Sequence, residues 1–132
     1  MVSERVDRLA RFVVVGCAAA AMHLGVVLLL VDGYGWLPLA ANVAGWLAAF
    51  VVSFSGHQWL TFRAAGAPPW RAARRFFVLS MLGFVINELS YAAALHWTGW
   101  RYDVLLALIL VAVAFITYLL SSRWAFLGKP ER

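Results

Sequence analysis

Four long apolar runs constrain this chain more than any other feature. Residues 12–31, 37–54, 76–95 and 104–120 form runs of 20, 18, 20 and 17 residues, and Glu88 is the one charged residue inside them. Each run falls in the range of roughly 17–25 residues that a bilayer-spanning helix requires. Together they use up most of the 132 residues and leave no room for a separate soluble domain. Composition agrees: 64% of the residues are apolar and 13% charged, against about 45–50% and 25% in a soluble domain. That excludes a water-soluble fold, and equally a disordered chain, which needs low hydrophobicity. No small-residue cleavage site followed by a polar mature region marks the first run as a signal peptide. A single cysteine excludes an internal disulfide, and no Cys/His spacing resembles a zinc site. No nucleophile–base set or nucleotide loop stands out, so the chain reads as a non-enzyme that needs no cofactor.

The net charge of +5 would suit nucleic acid in a soluble protein. Here its distribution argues for orientation in a membrane instead. Arg5, Arg8 and Arg11 precede the first run, Arg63, Arg71, Arg74 and Arg75 lie between the second and third, and Arg123, Lys129 and Arg132 end the chain. Only Arg101 falls on the other side, with Asp32 and Asp103. The positive-inside rule then places both termini and the central connection in the cytoplasm, in a multi-pass protein of the inner membrane. Trp36, Trp97, Trp100 and Tyr102 fall at one interface and Trp59, Trp70 and Trp124 at the other, as aromatic belts do.

Shifted by 64 residues, the chain meets itself without a gap. Arg11-Phe12 falls on Arg75-Phe76, Gly35-Trp36 on Gly99-Trp100, Phe62 on Phe126 and Phe54 on Tyr118. The matches lie at the entry, outer turn and exit of a two-helix unit. The expected fold is therefore an all-α membrane protein of four transmembrane helices, built as two parallel helical-hairpin repeats over about residues 11–63 and 75–127. Particular motifs resemble the GtrA-like family of small four-helix membrane proteins. Arg11-Phe12-Val13-Val14-Val15-Gly16 is similar to its opening and Ala41-Asn42 to its Ala-Asn pair. Phe54 through Thr61-Phe62-Arg63, and Tyr118 through Arg123-Trp124-Ala125-Phe126, are similar to its helix exits. The resemblance spans about residues 11–126. It implies a role in cell-surface polysaccharide synthesis, moving polyprenyl-phosphate-linked sugars to the outer leaflet, where a separate glycosyltransferase uses them.

An ionisable or amide side chain inside the bilayer is a functional candidate, because a central charge costs about 2.5–3.5 kcal/mol on insertion scales. At 1.5 Å per residue, His23 lies about 12 Å from the outer end of its run, Glu88 about 10 Å and Asn42 about 8 Å. Asn87 neighbours Glu88 and is the repeat mate of His23. A shared polar pocket, with a His23–Glu88 hydrogen bond or ion pair, would keep all four out of lipid. Under the resemblance, this pocket receives the sugar hydroxyls. The lipid phosphate then meets arginine forks at the cytoplasmic mouths: Arg11, Arg63, Arg75 and Arg123. The plainer alternatives are a packing network and a simple orientation signal. Gly16, Gly25, Gly45 and Gly83 are expected at close helix approaches, and Trp46 on a lipid-facing surface. So few helices around so large a lipid suggest a homodimer or larger assembly, or a complex with the glycosyltransferase. A proton-coupled exporter of cations or drugs is the first rival reading, disfavoured by the single orientation and by the acid's place in the third run. A scaffold for a glycosyltransferase is the second.

Overall fold

The computed structural model describes the chain over residues 2–61 and 69–126, the side chains of residues 5, 8, 61, 69, 71–73, 75 and 117–126 excepted. Helix α1 runs Val2–Leu28 and closes in a π turn at Leu29–Gly33. Gly35, with φ of +70°, reverses the chain, and the amides of Gly35 and Trp36 close back on Val31 O (3.1 Å) and Leu30 O (3.0 Å). Only glycine adopts that left-handed backbone without a Cβ penalty. Helix α2 is Pro38–Gly56, started by a proline that needs no amide partner in the first turn. It continues into a second π turn at His57–Thr61. Helix α3, Pro69–Trp97, again begins on proline. It ends where Thr98 folds back on Ala94 O through both its amide (3.0 Å) and hydroxyl (2.7 Å). Helix α4 is Tyr102–Phe126.

Each helix outlasts the apolar run that specifies it. α1 and α3 extend through polar segments at their N-terminal ends, where the headgroup region can solvate arginine while the backbone keeps its hydrogen bonds. Among the described residues, three stretches are long and apolar enough to cross a membrane: Val2–Gly33, Pro38–Leu60 and Phe76–Trp97. The described apolar part of α4, Tyr102–Ile116, is shorter. The exterior is covered with exposed Leu, Val, Ile, Phe and Trp, the surface a lipid solvent selects. This is an all-α membrane protein.

The helices form a ring. α1 packs most extensively on α2, α3 packs on α4, and α2 on α3 and α1 on α4 close the circle. The buried apolar core, made of Val27, Ala41, Tyr91, Leu105 and Leu106, lies at the end that carries the two tight turns. Asp32 and Tyr102 meet there, the tyrosine hydroxyl donating to the carboxylate at 2.7 Å.

The two seams of α2 are built differently. Toward α1 it presents Gly45 and Gly56. A Cβ on Gly45 would lie 2.6 Å from His23 Cδ2, 2.8 Å from His23 O and 2.9 Å from Val27 Cγ2. One on Gly56 would lie 2.7 Å from Val15 Cγ1. At Gly16, Gly25 and Gly83, by contrast, a Cβ meets nothing within 4 Å, so the close approach expected there is absent. Toward α3, α2 presents rings. Trp46 stacks on Phe84 (4.6 Å), and Phe50 meets Phe77 edge-on (5.2 Å) and Phe76 at a tilt (5.6 Å).

Candidate functional site

Just below the apolar core, three helices meet at one side chain. Asn42 is completely buried on the first turns of α2. Its Oδ1 lies 2.6 Å from Nε2 of His23 on α1. Its Nδ2 donates to Oδ1 of Asn87 at 2.9 Å and to Oε2 of Glu88 at 2.5 Å, both on α3. A carboxylate only accepts, so an ionised Glu88 requires the amide nitrogen to face α3. The amide oxygen then faces His23, and the imidazole must donate through Nε2–H. Every hydrogen-bonding position of the Asn42 side chain toward its neighbours follows from that single choice. The expected polar pocket thus brings together all four of its residues: His23, Asn42, Asn87 and Glu88.

The wiring is not the expected one. His23 and Glu88 form no ion pair; among the described residues the ion pair present is Arg101–Asp103. Asn42 stands between the imidazole and the carboxylate and bonds to each. His23 and Asn87 are 5% and 4% exposed, while Glu88 is half-buried. Glu88 is thus the member of the cluster most open to its surroundings. No buried side-chain nitrogen or oxygen among the described residues lacks a partner. None of the His, Cys, Asp and Glu side chains among them gathers in threes to hold a metal.

A family model described as GtrA/DPMS, transmembrane domain, matches residues 11–126. The chain belongs to this family. No curated protein and no solved structure matches it. Membership supports a membrane protein of lipid-linked sugar pathways.

Other parts of this GtrA/DPMS domain escaped the reading of its residues. Trp46, expected on a lipid-facing surface, is half-buried on the α2–α3 seam, and its indole donates to Ser80 Oγ at 2.9 Å. The signal was available, since Trp46 follows Asn42 by four residues and so shares its helix face. His57 is buried and stacks on Phe12 at 4.9 Å. Tyr91, fully buried one turn beyond Asn87, donates its hydroxyl to Tyr102 O at 3.1 Å.

Of the arginines expected to hold phosphate, Arg11, Arg75 and Arg123 stand on helix segments toward the opposite end of the bundle. Arg11 is exposed on α1, and its Nη1 donates to Leu60 O in the second π turn at 3.3 Å. That contact uses one of five guanidinium donors and pins the stem of the fork. Arg63 lies outside the described residues, as do the side chains of Arg75 on α3 and Arg123 on α4. At the turn end, Arg101 grips Asp103 through Nε (3.2 Å) and Nη2 (3.0 Å). Both precede the apolar run at residues 104–120, and this hydrogen bonding holds the Asp103 carboxyl below the usual carboxylate range.

Proposed function

We propose that this protein assists the passage of a polyprenyl-phosphate-linked sugar across the cytoplasmic membrane, supplying a glycosyltransferase that builds a cell-surface polysaccharide. One observation carries the reading: a carboxylate, two amides and an imidazole from three helices converge inside an otherwise apolar bundle, in a member of the GtrA/DPMS family. Sugar hydroxyls match such a set, because a carboxylate accepts and an amide does both. Glu88, half-buried and with Oε1 left for a ligand, is the contact group. His23, Asn42 and Asn87 hold it in place. The phosphate is taken by Arg11, together with Arg63, Arg75 and Arg123, on the side where the termini emerge, which we assign to the cytoplasm. Arg11 and His23 are 12 residues apart on one helix, about 18 Å at the α-helical rise. Phosphate and sugar sites therefore serve different stages of the passage. The test is uptake of a polyprenyl-phosphate hexose into vesicles containing the protein. Glu88→Gln should abolish delivery while membrane abundance holds. Normal delivery by an abundant Glu88→Gln variant would overturn the assignment.

A further inference from the structure

The hydrogen bonds around Asn42 form a chain whose direction can be reversed as a whole. With Glu88 ionised, all donors point one way: His23 Nε2–H to Asn42 Oδ1, and Asn42 Nδ2–H to Glu88 Oε2 and Asn87 Oδ1. A proton that settles on Oε2, rather than on the unpartnered Oε1 where Asn42 would feel no change, turns Glu88 from an acceptor into a donor toward Asn42. The facing amide nitrogen of Asn42 then has no acceptor there. The remedy is a half-turn of the Asn42 carboxamide, which exchanges Oδ1 and Nδ2 with almost no change of shape. Oδ1 would accept from Glu88 and, after the same half-turn at Asn87, from its Nδ2. The Asn42 nitrogen would now face His23, whose Nε2 must become an acceptor. For a neutral imidazole that means its proton resides on Nδ1 instead.

We infer that Glu88 takes up and releases a proton within the bundle and that Asn42 transmits this change to His23 as a switch of imidazole tautomer. The proton balance is simple. One proton passes from water to the Glu88 carboxylate; His23 releases its Nε2 proton to water and takes one from water at Nδ1, so its own proton count is unchanged. Burial enforces the coupling, since Asn42 is wholly enclosed and no water can supply a substitute partner. The titratable and charged groups around it already have partners. α2 contributes Asn42; α1 contributes His23; α3 adds Tyr91, whose hydroxyl is spent on Tyr102 O. On α4, Asp103 is held by Arg101. The inference goes beyond the sugar-lipid reading by adding a protonation switch within the cluster. It is tested without any sugar lipid, so the two fail separately.

The experiment is a pH titration of the full chain in lipid nanodiscs, with 15N-labelled histidine and 13C-labelled glutamate carboxyls. The His23 signals are assigned by their loss in His23→Gln. The expected result is loss of the Nε2–H tautomer and gain of the Nδ1–H tautomer at the same pH at which the Glu88 carboxyl titrates. Glu88→Gln should leave one His23 state at every pH. Asn42→Leu should leave Glu88 titrating while the His23 tautomer no longer follows. Three results would overturn the inference: an Nε2–H tautomer that persists through the Glu88 titration, an imidazolium in place of a tautomer switch, or an unchanged switch in Asn42→Leu. If Asn42→Leu does not accumulate, the wild-type and Glu88→Gln titrations still decide, since a switch that survives Glu88→Gln also refutes it.

Discussion

Replacing Asn42 by alanine should be severely damaging although it removes no charge. It deletes three interhelical hydrogen bonds at once, to His23, Asn87 and Glu88. Within bilayers such bonds average about 0.6 kcal/mol and reach about 1.7, so three give a loss of roughly 2–5 kcal/mol. The upper part of that range applies here, because the orphaned groups cannot turn to water. His23 and Asn87 are 5% and 4% exposed, and a buried group left unsatisfied costs about 1–3 kcal/mol. Truncation of the Trp46–Ser80 pair provides the scale: Trp46→Phe deletes one hydrogen bond, keeps the stacking surface for Phe84, and should cost about 0.6 kcal/mol. Reversible unfolding in mixed micelles, followed by helix signal against the fraction of denaturing detergent, reads both. An Asn42→Ala variant within about 0.5 kcal/mol of wild type would refute the argument, since it would mean that the buried partners find other bonds. So would an Asn42→Ala loss no larger than that of Trp46→Phe.

Further outcomes follow from the geometry. Gly45→Ala places a methyl against the His23 carbonyl, which cannot rotate away, so α1 must shift and the 2.6 Å bond to Asn42 must lengthen. Gly56→Ala crowds only the Val15 side chain. Sugar-lipid uptake should fall sharply in Gly45→Ala and hold in Gly56→Ala; equal losses would show that general helix packing is responsible. Arg11→Lys keeps the charge but loses the fork, and should weaken binding of short-chain polyprenyl phosphate to vesicle-embedded protein roughly tenfold, the worth of one charge-assisted hydrogen bond; unchanged binding would mark Arg11 as an orientation signal alone. Arg101→Ala should return the Asp103 carboxyl upward toward its ordinary range, read by its carboxyl 13C shift against pH. The sign is that of a depressed carboxylate: the pairing with Arg101 is intact above the ordinary carboxyl range and lost as pH falls through the lowered value.

Much of the fold was legible because a bilayer tolerates so few alternatives. An apolar run of spanning length has to be a helix, since nothing else closes its own hydrogen bonds in lipid. The ends were less legible. Helix continuation through Arg5, Arg8 and Arg11, and the π turns at Leu29–Gly33 and His57–Thr61, depend on backbone bonding that no residue type announces. The membership of the polar cluster followed from the cost of burying His23, Asn42, Asn87 and Glu88 separately. Its wiring did not, because attention to charge favours a His23–Glu88 pair, whereas an uncharged amide from the helix between them has donors and an acceptor to spare for both. Nor does residue type distinguish Gly45, where a Cβ would strike α1, from Gly16, where a Cβ would meet nothing within 4 Å. That difference is one of rotation about the helix axis, and only packing sets it.

The unlike seams of α2 have a mechanical consequence. Toward α1, Gly45 and Gly56 let the helices close until His23 O and the side chains of Val15, His23 and Val27 press on the α2 backbone, which leaves little slack for displacement. Toward α3, the joint runs over the faces and edges of Trp46, Phe50, Phe76, Phe77 and Phe84, rings that can slide and swing without opening a void. The bundle thus has one stiff joint and one compliant joint on the same helix. Any opening that admits a cargo to Glu88 should move α3 as a lever over the ring bearing, with α1 and α2 travelling together as a single beam.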